Sequence, residues 1–347
     1  MLSDGHWKEK QDVMRLFDRM DTLSTDTDFL HFQHDLIRRL YDALGRGYSA
    51  SDNEVNLIKR AVDSLNGLSY KGLRLFATVI HGTRSYVEFN FMDKPVTKEL
   101  GDMTIITLVS DKESRLYQRV CVIQNKKERD GHWEIDPEQL FLLKNFPPFS
   151  GNKGIFRRCK EMAFRNSSGT LGCYGLFCSP GEMTLVSAPA LTEMLRGKRC
   201  LSRAELGYPS SASVGGSGAA TGAPWWPGFP RLHPKEFYMF LEEFVHHCGH
   251  RFMAGGLLDG FLGCTQFAGD LHDFVRNWTQ LNLGEVTTVL GRVLNPTVDA
   301  FSNFMIRSAG FRDLHVELPT GNYFSDQEFD GQMAVLLMHM DVSRLGG

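Results

Sequence analysis

Three polar residues, Asp102, Gln124 and Lys126, have the types and the spacing that metal-assisted hydrolysis requires. They stand at the ends of two apolar stretches, 103–109 and 118–123, which a polar turn separates. Short apolar and β-branched stretches on either side of a polar turn predict a β-hairpin. Such a hairpin brings a carboxylate, an amide and an ammonium group together at one end of a sheet.

The position of the turn predicts how the two strands pair. If the hairpin is regular and centred on Glu113, paired residues have numbers that sum to about 226. Asp102 then lies opposite Gln124. Side chains two residues apart on a strand share a face, so Gln124 and Lys126 point the same way.

These three groups suit Mg²⁺-assisted hydrolysis of a phosphodiester bond. Asp102 would hold the cation, and the side-chain oxygen of Gln124 would be a weaker hard ligand. Lys126 would orient the attacking water or neutralise charge that grows on the phosphate. The alternative is a solvated turn, in which Asp102 caps a strand and 124–127 form a polar strand end.

The order of these features is similar to that in the PD-(D/E)xK nuclease superfamily. Gly101 and Asp102 precede a strand, a turn and a second strand ending in Gln124-x-Lys126, and a predicted helix follows. The glutamine resembles the Mrr-like, restriction-endonuclease-like branch with a QxK motif. The resemblance covers roughly residues 50–190. It implies that Asp102 and Gln124 bind Mg²⁺ (or Mn²⁺) and that Lys126 assists the nucleophile.

The resemblance also implies a further acidic residue at the metal. Glu99 is the first choice, although its odd spacing from Asp102 would send it to the opposite face of a regular strand. Gly101 could provide the irregular backbone that turns Glu99 inward. Glu88 on the preceding strand and Glu54 on the preceding helix are the other candidates.

The elements that must position these residues begin with helices. Within the N-terminal segment, 1–50, apolar residues recur at four-residue spacing and give one helix face: Phe32, Leu36, Leu40 and Leu44. A second helix should run through 54–65, with Ser51 or Asp52 as its cap.

From Leu73 onward the pattern changes to short strands, including 86–91 and the two strands of the hairpin. A helix is predicted over 137–146, with Asp136 as its cap. Two more strands are predicted at 173–178 and 182–187.

The fold class expected from this order is α/β (α+β), a restriction-endonuclease-like mixed central sheet flanked by helices. We assign the nuclease domain to 51–208 and a Gly/Ser/Pro-rich linker or loop to 209–230. The remainder, 231–347, is expected to be mixed and mainly helical, beginning with an amphipathic helix at 234–247.

The net charge of −3 provides no strong global field for nucleic acid, so DNA contact would need a local basic patch. The segment 151–165 could supply that patch or could form a solvated helix face. The residues chosen for nucleic-acid binding are Lys153, Arg157, Arg158 and Lys160. A second basic segment at 196–203 is a weaker candidate.

Two other groups of residues have a less specific pattern. A zinc site would draw on 246–250 and Cys264, but the spacing of the histidines and cysteine favours a polar helix end. Trp225, Trp226 and Phe229 could stack on bases, and anchoring of a long loop is the plainer interpretation.

Seven cysteines at irregular spacing and a polar N-terminus favour a soluble cytoplasmic protein with reduced thiols and no membrane contact. The functional hypothesis is a metal-dependent DNA endonuclease, of the kind found in prokaryotic restriction or phage defence. Double-strand cleavage would favour a homodimer, and RNA would be chemically similar as a substrate. The competing hypothesis is a catalytically silent, nuclease-like module that binds protein or nucleic acid.

Overall fold

The fold is described from a computed structural model of the chain. It covers most of the first 206 residues and parts of the C-terminal region. The described residues are 26–46, 48–49, 52–80, 84–166, 169–178, 181–206, 268–289, 291–311, 314, 316, 318 and 332–344.

Fifteen strands and six α-helices make up the described part of the chain. The strands are β1 (Ser69–Tyr70), β2 (Leu73–Ile80), β3 (Tyr86–Phe91), β4 (Lys94–Glu99), β5 (Met103–Asp111), β6 (Ser114–Lys127), β7 (His132–Glu134), β8 (Phe149–Lys153), β9 (Gly172–Cys178), β10 (Glu182–Ser187), β11 (Cys200–Ser202), β12 (Ala268–Gly269), β13 (Glu285–Val289), β14 (Arg292–Val293) and β15 (Met333–Asp341). The helices are α1 (Thr27–Gly45), α2 (Glu54–Leu65), α3 (Pro137–Asn145), α4 (Ala188–Leu195), α5 (Leu271–Thr279) and α6 (Pro296–Ser308).

A ten-stranded mixed sheet forms the centre of the fold. Its main order is β1-β2-β15-β5-β6-β9-β10-β12, and β13 pairs with β6 and with β14. The pairs β15–β5 and β6–β9 are parallel, while the other pairs are antiparallel. The helix α3 lies between β6 and β9 in sequence, as parallel neighbours require a crossover connection. The mixed α/β class expected from the sequence is therefore present.

Both faces of the central sheet are buried. On one face α1, α2 and α5 pack against the sheet through Phe29, Leu57 and Phe274. On the other face α3 and α6 contribute Leu142 and Phe301 to a second apolar core. Strands covered on both sides lose the alternation of polar and apolar residues, which explains the continuous apolar stretches in β5, β6 and β15.

Two small sheets complete the described structure. The order β4-β3-β8 forms a three-stranded sheet, and β11 pairs with β7. Phe89 and Phe91 of β3 pack against Phe141 of α3. The three-stranded sheet is thereby held beside the end of the central sheet from which β5 begins.

The N-terminal helices follow the predicted pattern with one correction. Leu36, Leu40 and Leu44 are buried on one face of α1. The cap of α2 is Asn53, whose side chain accepts a hydrogen bond from the backbone N–H of Asn56, and not Ser51 or Asp52 as expected. The cap that was predicted for α3, Asp136, is confirmed.

The expectation of a mainly helical C-terminal region is wrong. Its described part contains four strands, β12 to β15, beside two helices. The strand β15 lies between β2 and β5, so residues on both sides of 209–230 build one sheet. The segment 209–230 and the helix predicted at 234–247 lie outside the described residues. Among the described helices, none is long and apolar enough to cross a membrane.

The central position of β15 leads to a prediction about stability. Leu337 is fully buried in β15, and its truncation to alanine leaves a cavity. Leu337→Ala should lower the free energy of unfolding by about 2–5 kcal/mol, measured by urea denaturation. Met92→Ala is the matched control because Met92 is 80% exposed, and its effect should be close to zero. Equal effects of the two changes would contradict a central β15.

Candidate active site

The register of β5 and β6 is the one predicted from the sequence. Met103 pairs with Ile123, and their numbers sum to 226. One residue beyond that pair, Asp102 stands opposite Gln124, and the backbone N–H of Asp102 donates to the carbonyl of Ile123 at 2.9 Å. The sequence thus correctly predicted which residues meet at this end of the hairpin.

The carboxylate of Asp102 accepts two hydrogen bonds through one oxygen. Gln124 Nε2 lies 2.6 Å from Asp102 Oδ2, and the backbone N–H of Asn125 donates to the same oxygen at 2.7 Å. The two donors fix the carboxylate at the end of β6. The structure therefore brings together two of the three residues of the predicted constellation by direct contact.

The side-chain oxygen of Gln124 is buried and has no hydrogen-bond partner among the described residues. A buried acceptor without a partner costs about 1–3 kcal/mol, which offsets part of the stabilisation from the Nε2 hydrogen bond. The two ends of an amide differ only in which hydrogen bonds they make. Inversion of the Gln124 amide would turn its oxygen towards Asp102, an arrangement that needs a cation or a proton between the two oxygens.

Lys126 shares a sheet face with Gln124, because the two residues are two positions apart on β6. Its side chain is partly exposed, and it makes no ion pair with a described residue. Its charge lowers the pKa values of both Asp102 and Glu99, so the ammonium group lies within electrostatic reach of the two carboxyls.

The next residue, Lys127, has a different role. Its Nζ donates to the backbone carbonyls of Ser49 and Asp52, and it lies 4.9 Å from the centre of the Tyr48 ring. These contacts tie the end of β6 to the connection between α1 and α2. Of these two neighbouring lysines, Lys126 is therefore the candidate for a catalytic role.

Glu99, the first choice for a further acidic residue, lies at the end of β4. Burial raises its pKa, while Arg84 and Lys126 lower it. The charge of Glu99 in turn raises the pKa of Asp102. The backbone carbonyl of Glu99 accepts a hydrogen bond from Gln139 Nε2 at 2.6 Å, which anchors this strand end to α3.

The two alternative acidic residues are engaged elsewhere. Glu88 is exposed on β3 and accepts a hydrogen bond from Asn152 at 3.4 Å. Glu54 accepts a hydrogen bond from the backbone N–H of Lys127 at 3.1 Å, and its effect on the pKa of Asp102 is smaller than that of Glu99. Glu99 is therefore the carboxylate that interacts most strongly with Asp102.

Gly101 is the residue that permits the close approach between the strand end and β6. A Cβ atom at this position would lie 2.7 Å from Cγ1 of Val122 and 3.1 Å from the carbonyl oxygen of Ile123. Any larger residue would push the segment away from β6. The turn between β4 and β5 can therefore bring Glu99 and Asp102 to the same region.

The electrostatic surroundings raise the pKa of Asp102 to about 7. Removal of the carboxyl from water is the largest cause, and the nearby Glu99 adds to it; the Asn125 hydrogen bond and Lys126 act in the opposite direction. The residue as a whole is half-buried. A carboxyl whose pKa is shifted this far by burial and by a neighbouring charge is a candidate for a functional role.

The donor types at this site fit a hard divalent cation. Asp102 and Glu99 supply carboxylates, and the unpartnered Gln124 Oε1 supplies an amide oxygen, the ligand types that Mg²⁺ prefers. Across the described residues, no group of three or more His, Cys, Asp and Glu side chains is arranged to hold a metal. A cation here would thus depend on the amide oxygen and on water to complete its shell.

The basic segment after α3 is exposed but not helical. It consists of β8, a 3-10 turn at Gly154–Phe156 and an extended stretch, so the alternative of a solvated helix face is wrong. Across the three-stranded sheet, Glu99 pairs with Tyr86 and Tyr86 pairs with Lys153. The exposed basic residues are Lys153, Arg157, Arg158 and Lys160.

The sequence interpretation missed two residues that lie beside the site. Tyr174 pairs with Gln124 across β6 and β9, and its hydroxyl is buried with no partner in the described part of the chain. Arg84 lies 3.6 Å (Nε to Oε1) from Glu99. The sequence around these residues does not predict their positions. Tyr174 reaches the site through the parallel pairing of β9 with β6, and Arg84 reaches it through the connection before β3. The residues considered for zinc binding and for stacking lie outside the described residues.

Comparison with known proteins finds no match among protein-family models, curated proteins or solved structures. The resemblance to PD-(D/E)xK nucleases stays a prediction from the hairpin residues of the sequence.

The raised pKa of Asp102 predicts how cation binding depends on pH. Below about pH 7 the carboxyl is largely protonated and must lose its proton to bind a cation, so affinity should rise with pH. Calorimetry with Mn²⁺ in two buffers of different ionisation enthalpy should show proton release at about pH 6 and little at about pH 8. Asp102→Asn should abolish the binding. The control Asp63→Asn, at an exposed position of α2, should not change it. Equal proton release at both pH values would contradict this account.

Proposed function

We propose that this protein is a metal-dependent endonuclease that hydrolyses DNA phosphodiester bonds. The observation that carries the proposal is the contact between Asp102 and Gln124 at 2.6 Å, with Lys126 on the same sheet face. Glu99 adds a second carboxyl within electrostatic reach. The similarity to Mrr-like enzymes extends the proposal to prokaryotic restriction or phage defence.

Asp102, Glu99 and the Gln124 side-chain oxygen would hold Mg²⁺ (or Mn²⁺). When bound, such a cation makes water more acidic and stabilises charge on the phosphate. The bound form requires inversion of the Gln124 amide, because its NH₂ group now faces the carboxylate.

The part of Lys126 follows from its charge and position. Its ammonium group would donate a hydrogen bond to the attacking water or to a non-bridging phosphate oxygen, where negative charge increases in the transition state. Hydrolysis forms one P–O bond to water and breaks the P–O bond to the leaving oxygen. The water loses its proton to solvent, and the leaving oxygen gains one.

A catalytically silent interaction module is the second candidate, and one observation favours it. Gln124 Nε2 and the Asn125 N–H already satisfy Asp102 Oδ2 without a cation. In a silent module these hydrogen bonds would be the permanent role of the two side chains. Binding of a divalent cation at Asp102 separates the two candidates.

The proposal predicts cleavage of supercoiled plasmid DNA in the presence of Mg²⁺ or Mn²⁺. Lys126→Ala should reduce the rate by about 10²-fold or more, because it removes a charge that stabilises the transition state. Lys59→Ala, which removes an exposed lysine on α2, is the matched control and should cleave at the normal rate.

A chelator should stop cleavage by the unchanged protein and by the control variant. Nicking that continues undiminished in Lys126→Ala would contradict the assignment of the site. A chain that binds no cation and cleaves neither DNA nor RNA would favour the silent module.

A further inference from the structure

Arg84 is a cation at the edge of the candidate site that the proposed chemistry does not use. Its side chain is 66% exposed, and its Nε lies 3.6 Å from Glu99 Oε1, too far for a hydrogen bond. The Arg84 guanidinium also makes a hydrogen bond with the side chain of Tyr86. A guanidinium held this way keeps donors that can bind a second anion.

Lys153 is a second cation, and the turn that follows it packs directly against the backbone of Arg84 and Ser85. Gly154, which follows Lys153, has a positive φ of 67°. A Cβ atom there would lie 2.7 Å from the Cα of Ser85 and 2.9 Å from the carbonyl oxygen of Arg84. Ile155 also donates its backbone N–H to Ser85 Oγ at 3.3 Å. The turn after β8 and the segment before β3 thus form one rigid unit.

The same unit is paired with the strand that ends at Glu99. Glu99 pairs with Tyr86, and Tyr86 pairs with Lys153 next to a register shift between Tyr86 and Val87. Directly paired residues point to the same side of a sheet, and two strand spacings amount to about 10 Å. Arg84 therefore lies next to Glu99, and Lys153 lies two strand spacings from Glu99 beyond Tyr86; both cations are exposed.

We propose that Arg84 and Lys153 form a phosphate clamp, which holds the backbone of DNA beside the Asp102 site. This inference rests on the proposed nuclease function and adds the residues that bind phosphates next to the scissile one. Asp102 and Glu99 repel a polyanion when ionised, and the chain carries a net charge of −3. Two cations next to these carboxyls offset that repulsion where the DNA must approach.

The salt dependence of DNA binding measures such contacts directly. Each phosphate that a cation neutralises contributes about 0.9 to the slope of log K against log salt for duplex DNA, and about 0.7 for single strands. Loss of both clamp residues should therefore lower the slope by about 1.8 or about 1.4, respectively. A side chain that only stabilises the fold would leave the slope unchanged.

The experiment uses fluorescence anisotropy of a short labelled DNA duplex, with EDTA present so that no cleavage occurs. The double variant Arg84→Ala/Lys153→Ala is compared with Arg38→Ala/Lys59→Ala, which removes two exposed cations from α1 and α2. A third variant, Arg84→Lys/Lys153→Arg, keeps both charges. Matching melting temperatures establish that all three variants fold.

The clamp predicts a reduced slope in the first variant alone. An unchanged slope in that variant, with normal binding by the unaltered protein, overturns the clamp and leaves the nuclease proposal intact. An equal reduction in the Arg38/Lys59 control also overturns it, because binding would then depend on overall charge. If the unaltered protein binds no DNA, the clamp and the proposed DNA substrate both fail.

Discussion

The pairing register between β5 and β6 is the constraint on which the candidate site depends. Successive residues of a strand point to opposite faces, so a slip of one residue would move Asp102 away from Gln124 and Lys126. Burial of both faces removes the polar alternation that usually fixes register. Local features fix the register instead, namely the polar turn at 111–114, the irregularity between Val109 and Ser110, and the tight packing of Gly101 on β6.

That register also brings buried charged and polar groups together at one end of the sheet, where their burial is unfavourable. Asp102 is costly to ionise, and Glu99 adds a second negative charge. Gln124 and Tyr174 each bury a polar atom for which the described residues provide no partner. Each such buried group costs about 1–3 kcal/mol, which a purely structural sheet would avoid by using apolar residues. Cation binding would satisfy the carboxyls and the amide oxygen together. The proposed metal site rests on this balance of charges.

The sequence was informative where structure is local. The hairpin, its register, the helix over 137–145 and the Asp136 cap depend on neighbouring residues, and all are present. The place of β15 was not predictable, because an apolar strand does not specify which strands it will join. Its nine residues are all buried between β2 and β5.

The candidate site shows the same division. Asp102 and Gln124 were placed opposite each other from turn position alone, whereas Glu99 needed the turn at Gly101 to come near them. Tyr174 reaches the site through the parallel pairing of β6 with β9. Arg84 does so through the packing of two connections that are some seventy positions apart, Arg84–Ser85 and Gly154–Ile155. The spacing of neighbouring residues in the sequence predicts neither of these contacts.

The most direct test is a crystal structure of the protein grown with Mn²⁺, with anomalous scattering to locate the metal. The account predicts an anomalous peak at about 2.1 Å from an oxygen of Asp102 and from an inverted Gln124 amide. Glu99 or water should complete the shell. A structure without a peak there, in which Gln124 Nε2 still donates to Asp102, would contradict a metal-dependent site.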